Sequence, residues 1–197
     1  MTRTRLLAVF APVLVFLSAC GINSVPTAEE QAKAKWADVQ AAYQRRMDTL
    51  PSLAQTVTAA AGHERNLQTG VAEARTQVQQ ASISPDQLTD PAAVQRYQAA
   101  QNNVTAMIGR WLQEVPPENR ANQNYLNLQE QIEGSNNRIT IALRDYNEAV
   151  RQYNTLIRTF PSSIGASVIH GAEPMVPFEA QAGADRAPDL GNSLKSQ

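Results

Sequence analysis

Two long stretches of this sequence place an apolar residue at every seventh position, and that spacing leaves the chain few ways to fold. Stepping by seven from Trp36 gives Tyr43, Leu50, Val57, Glu64, Val71 and Val78; three positions on lie Val39, Arg46, Leu53, Ala60, Leu67, Ala74 and Ala81. Six of seven in each series are apolar. A seam of this kind is buried only against a neighbouring helix, so it predicts helices packed side by side. The second stretch runs Tyr125, Ile132, Ile139, Tyr146, Tyr153 and Phe160, with Leu128, Ser135, Ala142, Ala149 and Leu156 three positions on. Leu143, Val150 and Ile157 widen that stripe, as expected of a helix with two neighbours. Between the two lies a shorter stripe: Val94, Tyr97, Val104, Ile108, Trp111 and Val115.

Prolines punctuate the pattern. Pro51 falls inside the first seam, where it costs about 3 kcal/mol and bends or breaks a helix. The seven-residue phase continues across it, which predicts one helix over residues 27–82 bent near Pro51; two helices joined at 48–52 is the alternative. Ser82 to Pro91 reads as a connector, Pro91 to Val115 as the next helix, and Asn119 to Phe160 as the last, stopped by Pro161. The expected fold class is all-α: an elongated antiparallel up-and-down bundle of three to four long helices over residues 28–160, with an irregular C-terminal tail. Residues 161–180 are expected to dock through Ile164, Val168, Ile169 and Phe178, and the Gly-, Ala-, Asp- and Ser-rich residues 181–197 to be disordered.

The first twenty residues follow another logic. Arg3 and Arg5 precede an almost purely apolar run from Leu6 to Phe16, and Leu17-Ser18-Ala19-Cys20 follows. A basic start, a short apolar run and small residues make a secretory signal. The run is shorter than the roughly 20 apolar residues a spanning helix needs. Leu17 to Cys20 resembles the lipobox of bacterial lipoproteins, which implies a signal peptide over 1–19, cleavage before Cys20, and lipid, palmitate included, on that cysteine. Residues 20–27 would then be a lipid-anchored tether. An uncleaved membrane helix and an ordinary buried thiol at Cys20 are the competing readings. Cys20 is the chain's single cysteine, so no intramolecular disulfide forms. Cleavage would reduce the 17 basic residues to 15 against 18 acidic ones, a net charge of −3. So acidic a chain is not drawn to anionic lipid or nucleic acid by charge, and attachment falls to the anchor. The expected location is the cell membrane or the outer membrane; Gly21, in place of an aspartate, leans towards the outer one.

Several blocks resemble the LemA family of bacterial envelope proteins. They are Trp36-Ala37-Asp38; Arg46 before Leu50-Pro51, then Leu53, Val57 and His63-Glu64; Asn124 to Gln129; and Asn137-Arg138-Ile139, Arg144, Tyr146-Asn147, Val150, Tyr153-Asn154 and Phe160-Pro161. Phe178-Glu179-Ala180 resembles the family's closing segment. The resemblance covers about residues 31 to 180 and implies an antiparallel bundle behind one N-terminal membrane segment, facing outside the cytoplasm, with no settled enzymatic role. The chain departs from the family in two places. Asn136 stands where an acidic residue is common, and Leu17 to Cys20 stands where many members keep an uncleaved membrane helix.

No catalytic motif emerges. His63-Glu64 lacks the second histidine of a zinc-protease pattern, since position 67 is leucine and the other histidine is His170. No Gly-x-Ser-x-Gly elbow or glycine-rich phosphate loop occurs. Asp38, Glu64, Glu130, Glu133, Asp145 and Glu148 are expected on solvated faces. The expectation is a non-enzymatic scaffold or interaction module without cofactor or metal, its partner another envelope protein or peptide; an envelope hydrolase with an unfamiliar acidic site is the alternative. Four polar residues in or beside the seams stand out: Arg46, Arg138, Asn147 and Asn154. Polar groups there cost energy unless bonded. They fix helix register, or they line a groove that binds a peptide or partner helix.

Overall fold

A computed structural model describes residues 23–61 and 64–178. They form helix α1 (Ser24–Ala61), α2 (Glu64–Gln80), a 3₁₀ turn (Pro85–Thr89), α3 (Pro91–Glu114), a second 3₁₀ turn (Pro117–Asn119) and α4 (Gln123–Arg158). The one-turn α5 (Ser162–Gly165) continues into a π turn (Ala166–His170), and residues 171–178 are irregular. Among the described residues the fold is all-α, a bundle of four antiparallel helices. The signal-like segment and Cys20 lie outside the described residues, as do His63 and residues 181–197. Of the expected tether, Ser24 to Thr27 already belong to α1. Pro26 is tolerated there because first-turn N–H groups have no intrahelical partner to lose.

The helix continues through Pro51, as the seven-residue phase predicts. It does not continue to residue 82. α1 ends at Ala61, and α2 runs back along it. The Gln40 side chain donates to the carbonyl of Ile83 at 3.3 Å, although 43 residues separate them. In one straight helix that separation would span about 65 Å. The reversal lets Leu67 and Val71 join Leu53 and Val57 in one core. At Gly70 an added Cβ would stand 2.9 Å from Trp111 Cζ2, so α2 can approach α3 this closely only without a side chain there. Asp90 caps α3, accepting from the Ala92 N–H at 2.9 Å, and Asn122 caps α4 in the same way through Asn124.

The core divides in two. In the half near the tip of α1, all four helices contribute: Leu50, Val57, Val71, Trp111, Tyr125 and Leu128 pack together. In the other half α2 has ended. There Trp36, Tyr43, Tyr97, Ile139, Tyr146 and Val150 are covered instead by Ile83 and Leu88 of the connector and by Met175 and Phe178 of the tail. The expected tail docking therefore occurs through Phe178, with Met175 beside it. Ile164, Val168 and Ile169 do not dock; they are 57%, 78% and 58% exposed. Phe160, the last step of the second heptad series, is 76% exposed because α4 has already stopped at Arg158.

Ile139→Ala should cost roughly 2–5 kcal/mol, from lost transfer and the cavity left behind. Gln152→Ala on the exposed face should stay within about 0.5 kcal/mol. Urea unfolding midpoints at unchanged slope check this, and equal losses at the two positions would contradict the packing.

Candidate functional site

Tyr146-Asn147 and Tyr153-Asn154 lie seven residues apart on α4, which brings each pair to the same side of the helix. The tyrosines point into the core, and the asparagines stand at its edge. Opposite them runs the segment 171–178, extended and antiparallel to α4. Gly171 starts it: its φ of +56° ends the π turn in a conformation side chains rarely adopt. Pro174 and Pro177 hold the residues before them away from helical geometry, which keeps the strap extended.

Each asparagine grips the strap with two bonds. Asn154 donates from Nδ2 to the Met175 carbonyl at 2.8 Å and accepts the Met175 N–H on Oδ1 at 2.9 Å. Asn147 treats Phe178 in the same way, at 2.8 Å for both bonds. The spacing follows from geometry. Seven helical residues rise about 10.5 Å, and three extended residues span about 10 Å. Helix positions seven apart therefore meet strap positions three apart. The tyrosine hydroxyls add a parallel row, Tyr146 donating to the Val176 carbonyl at 3.0 Å and Tyr153 to the Glu173 carbonyl at 3.1 Å. The Val176 N–H donates to Leu88 at 2.8 Å and ties the strap to the first 3₁₀ turn.

The clasp seats Phe178 in an aromatic cage. Its ring stacks on Trp36 at 5.5 Å and meets Tyr146 edge-on at 5.7 Å and Tyr97 at 6.2 Å. Trp36 also meets Tyr97 and Tyr146 edge-on, and it has no exposed surface. Burial pushes the phenols of Tyr146 and Tyr97 well above the ordinary tyrosine range, helped at Tyr97 by the neighbouring Tyr43.

The other polar residues singled out in the sequence lie elsewhere. Arg46 is 4% exposed and bridges α1 to α3: Nη1 donates to Thr105 Oγ1 at 2.8 Å, and Nη2 to the Gln101 carbonyl at 3.0 Å and Oε1 at 2.8 Å. The Tyr43 ring lies 5.0 Å from its guanidinium carbon, and desolvation lowers its pKa. Arg138 is exposed on α4 and joins neither group; its Nη1 lies above Gly134. Cys20 is outside the described residues. Asp38, Glu130, Glu133 and Glu148 are exposed and Asp145 half-buried. Sequence reasoning missed Gln101, Thr105 and Met175. Gln101 had a signal, since it occupies the buried-stripe position between Tyr97 and Val104.

Chemically, the clasp recognises main-chain amide and carbonyl groups and one aromatic side chain. Among the described residues, no group of three or more His, Cys, Asp or Glu could hold a metal ion. No described helix is long and apolar enough to cross a membrane. Fold and site together define a four-helix bundle that clasps an extended segment of its own chain. The family model for the LemA family matches residues 35–190, and the chain belongs to that family. No curated protein matches it.

The buried phenols set a pH response. Below the ordinary tyrosine value of 10.0, Tyr97 and Tyr146 are neutral whether folded or unfolded. Above it the unfolded chain ionises while the folded one resists, so their stabilisation is full below that pH and falls as pH rises. Thermal unfolding should be insensitive to these groups up to about pH 9 and decline beyond about pH 10. Tyr146→Phe should reduce the steepness of that decline. An alkaline limb unchanged by the substitution would contradict the assignment.

Proposed function

We propose that this LemA-family chain is a non-enzymatic scaffold or protein-interaction module, anchored by lipid on Cys20, with its bundle outside the cytoplasm in the cell envelope. The observation that carries the reading is the paired asparagine clasp. Asn147 and Asn154 bond to main-chain atoms, which every peptide presents, so the chemistry that holds the strap also suits an extended segment of another envelope protein. The groove beside the strap, lined by Asn147, Val150, Arg151, Asn154 and Pro177, is where such a segment would lie. The anchor reading draws on the basic start, the apolar run and Leu17-Ser18-Ala19-Cys20. Two or more acyl chains hold a protein stably where one does so only marginally.

A photoreactive side chain at the exposed Thr155, used in living cells, tests both parts. Mass spectrometry of the recovered protein should show a chain that begins at lipid-modified Cys20 and is crosslinked to an envelope protein or peptide. That adduct should disappear in Asn147→Ala/Asn154→Ala while helical content stays unchanged. A chain beginning at Met1 with an unmodified thiol removes the anchor. An anchored chain crosslinked to nothing, or with an adduct indifferent to the double substitution, removes the interaction reading. Turnover by the purified protein that one carboxylate substitution abolishes would overturn the non-enzymatic assignment.

A further inference from the structure

Phe160, Ile164, Val168 and Ile169 are 76%, 57%, 78% and 58% exposed. Single exposed apolar residues are ordinary, but among the described residues these four are the larger part of the exposed large hydrophobics, gathered within ten residues. Ile164 and Val168 lie four apart within the α5 and π-turn segment, which brings them towards one side of it, and Phe160 stands in the turn just before it. Ser162, Gly165 and Ala166 occupy the other side and are buried against the bundle. The segment thus has an apolar face that no other part of the described chain covers.

Its position says what covers it. α4 runs antiparallel to α1, with Tyr153 close enough to Glu29 and Lys33 to feel their charges. The end of α4 and the segment beyond it therefore lie level with the start of α1, and α5 touches α1 there. Val25, Ile157 and Ala166 belong to the same core. Cys20 is three residues before Asn23, the first described residue, and three Cα steps reach at most about 11 Å. An anchor at Cys20 brings this end of the bundle onto the bilayer. An uncleaved apolar segment ending there would do the same.

We propose that the α5 and π-turn segment is a membrane-docking surface, in which Phe160, Ile164, Val168 and Ile169 enter the interfacial region of the bilayer beside the anchor. The inference rests on the anchoring proposed above. Charge favours an apolar contact over an electrostatic one, because the chain beyond residue 19 carries a net −3. Attachment at one point alone would not set the tilt of the bundle. A second contact at the same end of the bundle fixes its long axis away from the surface, with the far end of α4 about 50 Å from it.

The test uses the full chain, purified from membranes and reconstituted in phosphatidylcholine vesicles that contain nitroxide-bearing lipid. An environment-sensitive fluorescent side chain is encoded at Val168 or, as control, at Leu126, an exposed apolar residue near the opposite end. The probe at 168 should lose most of its fluorescence to the nitroxide lipid, and the probe at 126 almost none. Adding Ile164→Asp and Phe160→Asp should restore the fluorescence at 168 while the protein still sediments with the vesicles. Protein that sediments with vesicles but shows no quenching at 168, or equal quenching at both positions, overturns the docking surface and leaves the anchor standing. Protein that remains in the supernatant overturns the anchor and the docking surface with it.

Discussion

Asn147 and Asn154 hold the main chain of the strap at two points three residues apart, and the burial of Trp36 depends on that hold. α2 is 17 residues long and cannot reach the lower half of α1, which has 38. Below its end a bundle of α1, α3 and α4 alone would leave Trp36, Tyr97 and Tyr146 open on one side. The strap closes it with a stacked phenylalanine and a methionine. An extended segment crossing an apolar core brings unpaired amides and carbonyls, each costly if unbonded. The asparagines, the tyrosine hydroxyls and the Leu88 carbonyl satisfy those groups. The polar residues beside the seam are thus the condition under which an irregular segment can complete a helical core.

The helical stripes were legible because burial on one face leaves a period in the sequence. Each apolar position in the stripe from Val94 to Val115 is buried, and the series from Tyr125 holds through Tyr153. The chain reversal near residue 62 was not legible from that period. Helices on either side of a tight reversal face the same core, so their apolar positions stay in phase by coincidence of loop length. The seven-residue count crossed the break on Glu64, its one polar member. α1 ends at Ala61 all the same, and α2 begins at Glu64.

The site was legible in part. The repeated Tyr-Asn step marked where to look, yet its partner could not be read off, because an asparagine that bonds main chain leaves no complementary residue type to find. The strap itself is short and holds two prolines, so it carries neither a helical nor an alternating period. Met175 was overlooked for that reason. Ile164, Val168 and Ile169 were expected to dock the tail on hydrophobicity alone, and the structure leaves them exposed. Arg46 shows a different economy from the asparagines: it joins α1 to α3 through neutral acceptors and an aromatic face, and no carboxylate is among its bonded partners.

Hydrogen exchange of the Met175 and Phe178 amides in the full chain tests the strap most directly. The two amides should be protected to a degree comparable with core amides of α4, and in Asn147→Ala/Asn154→Ala both should lose that protection together while α4 keeps its own. Exchange of Met175 and Phe178 at the rate of an unstructured peptide in the unsubstituted protein would contradict the account.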